Sequence, residues 1–360
     1  MEGRLGTGVA IDQERARALV LAHGWNTTAY QILNPGFRYW FTPSGDGVVG
    51  HVRRRHIWVV GGAPVCPPGR LDEVVVQFEG DAHSAGVRVC YVGAQDRLAR
   101  RCLPDPGYAA TVLGTEPWWD PGDWIGLMAG HSSLRGQLNR ARNKGVSATV
   151  RPAGTGTDPA LDALLLEWLG AKGLPPLGFL TTPWLLADLR DRRLVVADQN
   201  GRPVGFLILT PIPGRTGWLV EQIVRGRNAP NGTSELLVDR AFQWMAENGG
   251  RYATLGLAPL APAPHDRSRR DPWWLTWSLA RLRAHGKRFY NFEGLHSFKA
   301  KLRPAGWDPV YAISDEARVS LRTMKGVAEA FAEGSLIGFG VRLMTHAVGM
   351  EMHRMRTGAR

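Results

Sequence analysis

Between Phe289 and Pro304 the chain sets Lys299, Lys301 and Arg303 in alternation with Phe298, Ala300 and Leu302. A period of two predicts an extended strand with the cations on one face and apolar side chains on the other. Aligned cations make a surface for an anion; the alternative is an exposed edge strand that lysines keep from pairing with other chains. Two further cationic stretches lie elsewhere. Arg135, Arg140, Arg142 and Lys144 fall along a predicted helix ending at Gly145, either a surface that tracks phosphates or a solvated helix face. From Glu316 to Arg360, cations including Arg318, Arg322, Lys325, Arg342, Arg354 and Arg356 are interspersed with Val319, Met324, Val327, Phe331 and Leu343. This predicts a basic amphipathic helical tail that lies in an anionic membrane interface, or packs on the protein or on a second subunit.

The bulk composition points the same way. The chain has 44 basic and 32 acidic residues, a net charge of +12, and 44% hydrophobic content over 360 residues. Such a chain folds and favours nucleic acid or an anionic membrane surface as partner. Cys66, Cys90 and Cys102 are odd in number and lack metal-binding spacing, so neither a disulfide framework nor a zinc site is expected, and a reducing cytoplasm is. With no signal-like apolar stretch at Met1 and no run of the roughly 18 apolar residues a membrane span needs, the expected protein is neither secreted nor integral.

The elements that must position these residues are short and turn-rich. Asp12 caps a predicted helix ending near Gly24; Gly47 to Val60 and Leu71 to Tyr91 read as strand material. Pro152 to Thr157 reads as a linker, and Asp158 with Pro159 opens a helix carrying Leu161, Leu164, Leu165 and Trp168. Asn200 and Gly201 between two apolar runs signal a hairpin. A strand follows from Gly217 to Val224, then a helix capped by Thr233 or Ser234 that stops at Gly249 and Gly250, then a strand from Arg251 to Leu257. The segment with Trp273, Trp274 and Trp277 reads as a core helix, or as a surface stacking a base or lining an acyl groove. The expected class is α+β with mixed, largely antiparallel sheets, divided as 1–132, a connecting helix and linker at 133–157, 158–315, and the tail at 316–360.

The runs Pro230 to Leu237, Leu255 to Leu260 and Phe289 to Pro309, in this order and spacing, resemble the catalytic domain of the lysyl- and alanyl-phosphatidylglycerol synthases, the multiple peptide resistance factor family. Gly61 to Pro68 and the cationic helix ending at Gly145 extend the resemblance to roughly residues 10–313. It implies tandem GNAT-like (acyltransferase) domains that use aminoacyl-tRNA as donor in place of acetyl-CoA, with no cofactor and no metal, acting on a phosphatidylglycerol-like lipid or a related acceptor. Family members usually carry a block of membrane helices that this sequence does not contain. The sequence also departs from the family's motifs: Gln222 stands where a carboxylate is usual, Ser234 and Glu235 replace Met-Asp, His296 replaces an arginine, and Ala300 separates Lys299 from Lys301 in place of an acid.

The resemblance assigns roles. Acyl transfer through a tetrahedral oxyanion needs a positioned donor, oxyanion stabilisation and a base. Arg225 is expected to clamp an acceptor or tRNA phosphate, with Asn231 and Gln222 beside it, and Lys299, Lys301 and Arg303 to face tRNA phosphates or the oxyanion. Glu235 is expected to anchor the substrate's α-amino group, although a first-turn carboxylate also suits the helix dipole. Glu221 and His265 are the base candidates. The loop Arg225 to Gly232 sits where CoA-using relatives bind pyrophosphate, and Pro230 would remove a donor from that cradle. The expected activity is therefore aminoacyl transfer by a cytoplasmic enzyme, located also at the inner face of the membrane. A CoA-dependent N-acyltransferase and a non-catalytic tRNA- or membrane-binding module are the alternatives.

Overall fold

The computed structural model describes residues 2–152, 158–171, 178–259, 261 and 292–332. His265, the tryptophans at 273, 274 and 277, and the tail beyond 332 lie outside the described residues.

Helix α1 (Glu2–His23) buries Ala16 and Val20 one turn apart, and its end is closed by Gly24 N–H on Val20 O (2.8 Å). Strands β1 (Arg38–Phe41), β2 (Val48–Arg54) and β3 (Ile57–Gly61) form an antiparallel run. Helix α2 (Leu71–Ser84) then crosses to β4 (Arg88–Ala94), parallel to β3. The expected strand from Leu71 to Tyr91 is thus a helix followed by a strand. Its β-branched run misleads, because Val74, Val75, Phe78 and Ala82 recur at helical spacing and are buried, while Val76 is 61% exposed.

Helix α3 (Asp96–Cys102) leads to the long β5 (Ala109–Trp119), followed by α4 (Trp124–Gly130) and α5 (Ser132–Arg142). Helix α5 buries Leu134, Leu138 and Ala141 and leaves its cations outside, as expected. The second half repeats the plan. Strands β6 (Val146–Val150), β7 (Arg193–Gln199), β8 (Arg202–Ile212) and β9 (Gly217–Arg225) run antiparallel, with α6 (Pro159–Gly170) before β7. The side chain of Asp158 caps α6, and Asn200 and Gly201 both adopt positive φ (53° and 76°) in the β7–β8 turn, as a two-residue hairpin requires. Helix α7 (Thr233–Glu247) crosses to β10 (Tyr252–Thr254), parallel to β9. The expected Thr233 or Ser234 cap is not made: the capping position is Gly232, and the Thr233 hydroxyl donates to Pro230 O. The short β11 (Ala258–Pro259), helix α8 (Phe292–Lys301), β12 (Gly306–Ser314) and α9 (Leu321–Phe331) complete the described chain.

Among the described residues all twelve strands join one mixed sheet, in which only β3–β4 and β9–β10 pair in parallel. The fold is α+β, as expected, and each half shows antiparallel strands, a crossover helix, a parallel strand and a long closing strand. The closing strands change places: β12 from the second half lies between β4 and β5 of the first, and β5 pairs with β10 of the second. Helix α7 packs on the sheet face carrying Val195, Leu207, Leu209 and Val220. Helix α6 covers the opposite face, with Val196, Phe206, Ile208 and Val224. No described helix is long and apolar enough to cross a membrane.

Candidate active site

The parallel strands β9 and β10 pair over Gly217–Leu219 and Tyr252–Thr254 and then part, because β9 runs on to Arg225 while β10 stops. The second half therefore opens into a V beside the start of α7. At the mouth β9 carries a bulge: Leu209 pairs with Val220 and Ile208 with Gln222, so Glu221 has no partner residue on β8. A bulge re-aims side chains, and both Glu221 and Gln222 go to the α6 face. The Glu221 carboxylate accepts from the Thr210 hydroxyl and from Arg192 Nε (3.4 Å). Arg192 is itself buried; it donates to Thr210 Oγ1 (3.1 Å) and Asp188 O (2.9 Å) and lies 4.8 Å over the Tyr30 ring. The expected base Glu221 thus sits in a buried ion pair. Gln222 donates to Pro183 O (3.2 Å), while its buried Oε1 has no hydrogen-bond partner among the described residues.

Arg225 and Asn231 come together on the surface: Arg225 Nη2 donates to Asn231 Oδ1 (3.2 Å) and Ala229 O (2.9 Å), closing the loop before α7. That loop is seated on α5. A Cβ at Gly232, where φ is +96°, would lie 2.0 Å from Gln137 O, so only glycine lets the two backbones approach.

The predicted strand bearing Lys299, Lys301 and Arg303 is helix α8, and its cations do not form a row. Leu295, Phe298, Lys299 and Leu302 fit the i, i+3, i+4, i+7 spacing of one helix face, and Phe298 and Leu302 pack in the core beside α7. On that face Lys299 is only 3% exposed, and its Nζ donates to Gly256 O (2.7 Å) and Leu257 O (2.8 Å). Burial pulls its pKa down from 10.5 to about 7, with Glu116 acting in the opposite direction. Lys301 points to α7 and pairs with Glu235 at 2.5 Å. The carboxylate expected to hold a substrate amine therefore already holds a lysine. Arg303 is exposed just past the helix, in the left-handed region (φ 54°). Along α5, Arg142 pairs with Asp239 (2.9 Å), while Arg140 and Lys144 are exposed.

The structure also gathers a cluster that sequence reasoning missed. Between the pairings Trp118–Thr254 and Thr115–Ala258, β5 has no partner on its β10–β11 side at Glu116 and Pro117. Leu255 to Leu257 bow across this gap, with Gly256 at φ +69°. Glu116, 3% exposed, accepts through Oε1 from Thr27 Oγ1 (2.6 Å), Gln95 Nε2 (3.1 Å) and the Tyr252 hydroxyl (3.1 Å). Arg215 donates to Gln95 Oε1 (3.3 Å) and stacks 3.6 Å over Trp25 and 4.4 Å over Tyr252. Burial raises the Glu116 pKa, opposed by the Thr27 hydrogen bond, Arg215 and Lys299. The only sequence signal was a lone carboxylate inside the strand run Ala109 to Trp119.

These placements define two faces. Glu221 and Gln222 lie on the α6 side of the sheet, Glu235 and Lys301 on the α7 side, and the gap at 255–257 joins the two where the halves meet. Residues 17–314 match the family described as phosphatidylglycerol lysyltransferase, C-terminal. The chain belongs to this family. It is 26% identical over 304 residues to the phosphatidylglycerol lysyltransferase of Bacillus subtilis, covering 82% of this chain and 34% of that protein; it thus spans about a third of that relative's length. Among solved structures, the C-terminal domain of a putative lysylphosphatidylglycerol synthetase from Agrobacterium fabrum aligns with a TM-score of 0.75 at 23% identity, over 91% of this chain and 99% of that one. L-PGS from Bacillus licheniformis aligns at 0.72 and 22%, over 86% and 92%. At these identities the structural likeness establishes the fold.

Proposed function

We propose that this chain transfers an aminoacyl group from charged tRNA to a hydroxyl of a phosphatidylglycerol-like lipid, working at the cytoplasmic face of a membrane. The observation that carries this reading is the family match over residues 17–314, joined to a relative named phosphatidylglycerol lysyltransferase. The chemistry suits the residues present. The donor is an activated ester, so the protein must position two substrates, stabilise an oxyanion and move one proton. Exposed Arg225 and the +12 net charge favour anionic substrates. Ser234, following the Gly232 turn, and Arg225 with Asn231 border the mouth of the V.

The loop at the start of α7 counts against CoA as donor. Pro230 offers no N–H and Gly232 is pressed on α5, so the loop presents fewer backbone donors to a pyrophosphate. The test is incubation of the chain with labelled aminoacyl-tRNA and phosphatidylglycerol vesicles, followed by lipid extraction. Label in the lipid is expected, with at least a tenfold loss in Arg225→Ala. A melting temperature raised by acetyl-CoA, with no label transferred from any charged tRNA, would overturn the reading.

A further inference from the structure

The gap in the sheet at Leu255–Leu257 brings a residue of each half to one place. Trp119 and Ala253, register partners, face α7, and Lys299 approaches from that side through α8. Glu116 and Tyr252 lie on the other side, bonded to one another. A neutral amine has two N–H donors and one lone pair, whereas an ammonium has three donors and none. Gly256 O and Leu257 O take two N–H groups of Lys299 at 2.7 and 2.8 Å, as many as a neutral amine can donate, and no third acceptor is bonded to it among the described residues. Among the described residues, the three hydrogen bonds to Glu116 all fall on Oε1.

We infer that Lys299 is the group that carries the transferred proton, and that Glu116, contributed by the other half, is its positioning residue. This rests on the aminoacyl-transfer reading. In that transfer the acceptor O–H bond breaks and its oxygen bonds the acyl carbon, while the ester bond to the ribose breaks and the ribose oxygen takes a proton. No net proton and no electron is consumed, so an amine that accepts the proton and returns it suffices. Glu116 sets how readily it does so, because an anion nearby favours the ammonium. The other charged groups around the gap are accounted for. Arg215 lies over Tyr252, Asp308 is the β12 register partner of Glu116, and Lys301 on the same helix is neutralised by Glu235.

The test is a pH profile of single-turnover transfer from aminoacyl-tRNA. In the wild type the rate should fall about tenfold per pH unit below neutrality and level off above it. Lys299→Met should lose at least a hundredfold. Glu116→Gln keeps an acceptor for Thr27 and Tyr252, and should move the acid limb to lower pH by about one unit; Glu116→Asp should move it back. An unchanged midpoint in Glu116→Gln, whatever its plateau, would reduce Glu116 to a structural part and overturn the inference. A second measurement needs no substrate. The melting-temperature difference that Lys299→Met causes should bend with pH near 7, and the bend should move to lower pH when Glu116→Gln is also present. If transfer is absent but the bend moves, the functional reading fails and the pairing stands; a bend that stays in place refutes the pairing.

Discussion

Replacing Lys299 by methionine should change how stability depends on pH more than stability itself. The buried amine has its pKa lowered from 10.5 to about 7 by desolvation. Between these values the unfolded chain binds a proton that the folded chain does not, so the stability Lys299 contributes rises with pH through that window. It is fully present above 10.5, is lost as pH falls toward 7, and stays flat below. One proton corresponds to about 1.36 kcal/mol per pH unit, and the amine is half protonated at pH 7, so between pH 7 and 9 the wild type should gain roughly 2–3 kcal/mol relative to Lys299→Met. At about 2 °C per kcal/mol for a chain of this size, the difference in melting temperature should grow by about 5 °C. Methionine fills nearly the same volume and forfeits the bonds to Gly256 O and Leu257 O. That loss adds a pH-independent offset, which the slope ignores. Calorimetry of both proteins at matched ionic strength across this range is the assay. A difference constant to within a degree would mean that Lys299 stays protonated throughout, and the neutral-amine argument would be wrong.

Three further outcomes follow from the geometry. Gly232→Ala combines a positive φ with a Cβ 2.0 Å from Gln137 O, and should cost roughly 2–5 kcal/mol in urea unfolding. Arg192→Met strands the Glu221 carboxylate in a buried site and should cost roughly 3–5 kcal/mol, with part recovered when Glu221→Gln is added; equal effects of the single and double variants would refute the ion pair. Lys301→Met leaves the nearly buried Glu235 unpaired. It should lower stability by roughly 1–3 kcal/mol at pH 7 in chemical denaturation, whereas no change would show that water serves Glu235 equally well.

Much of the framework was legible because local chemistry decides it. The Asn200–Gly201 hairpin, the Asp158 cap and the strand at Gly217–Arg225 each follow from a few neighbouring residues. Two misreadings share one cause. Leu71–Ser84 carries a β-branched run, and Phe298, Ala300 and Leu302 alternate with cations, yet both segments also fit a helical face, and tertiary packing chose the helix. The second misreading changed the chemistry. On a strand Lys299 and Lys301 share a face, whereas on a helix they lie about 200° apart, and so one is buried at the sheet gap while the other pairs with α7.

What could not be read at all is the Glu116 cluster, and the topology explains why. If each half closed with its own last strand, β5 would lie against β4, far from the 255–257 turn. The exchange of β5 and β12 instead places a carboxylate of the first half where the second half's sheet parts, beside a lysine that no local motif links to it. Each half therefore holds an incomplete set: the second has the V, Arg225 and Lys299, and the first has Glu116 with Thr27 and Gln95. The inferred action of Glu116 on Lys299 depends on the exchanged strands staying paired, so loss of the β5–β10 ladder would separate the two even with both halves folded.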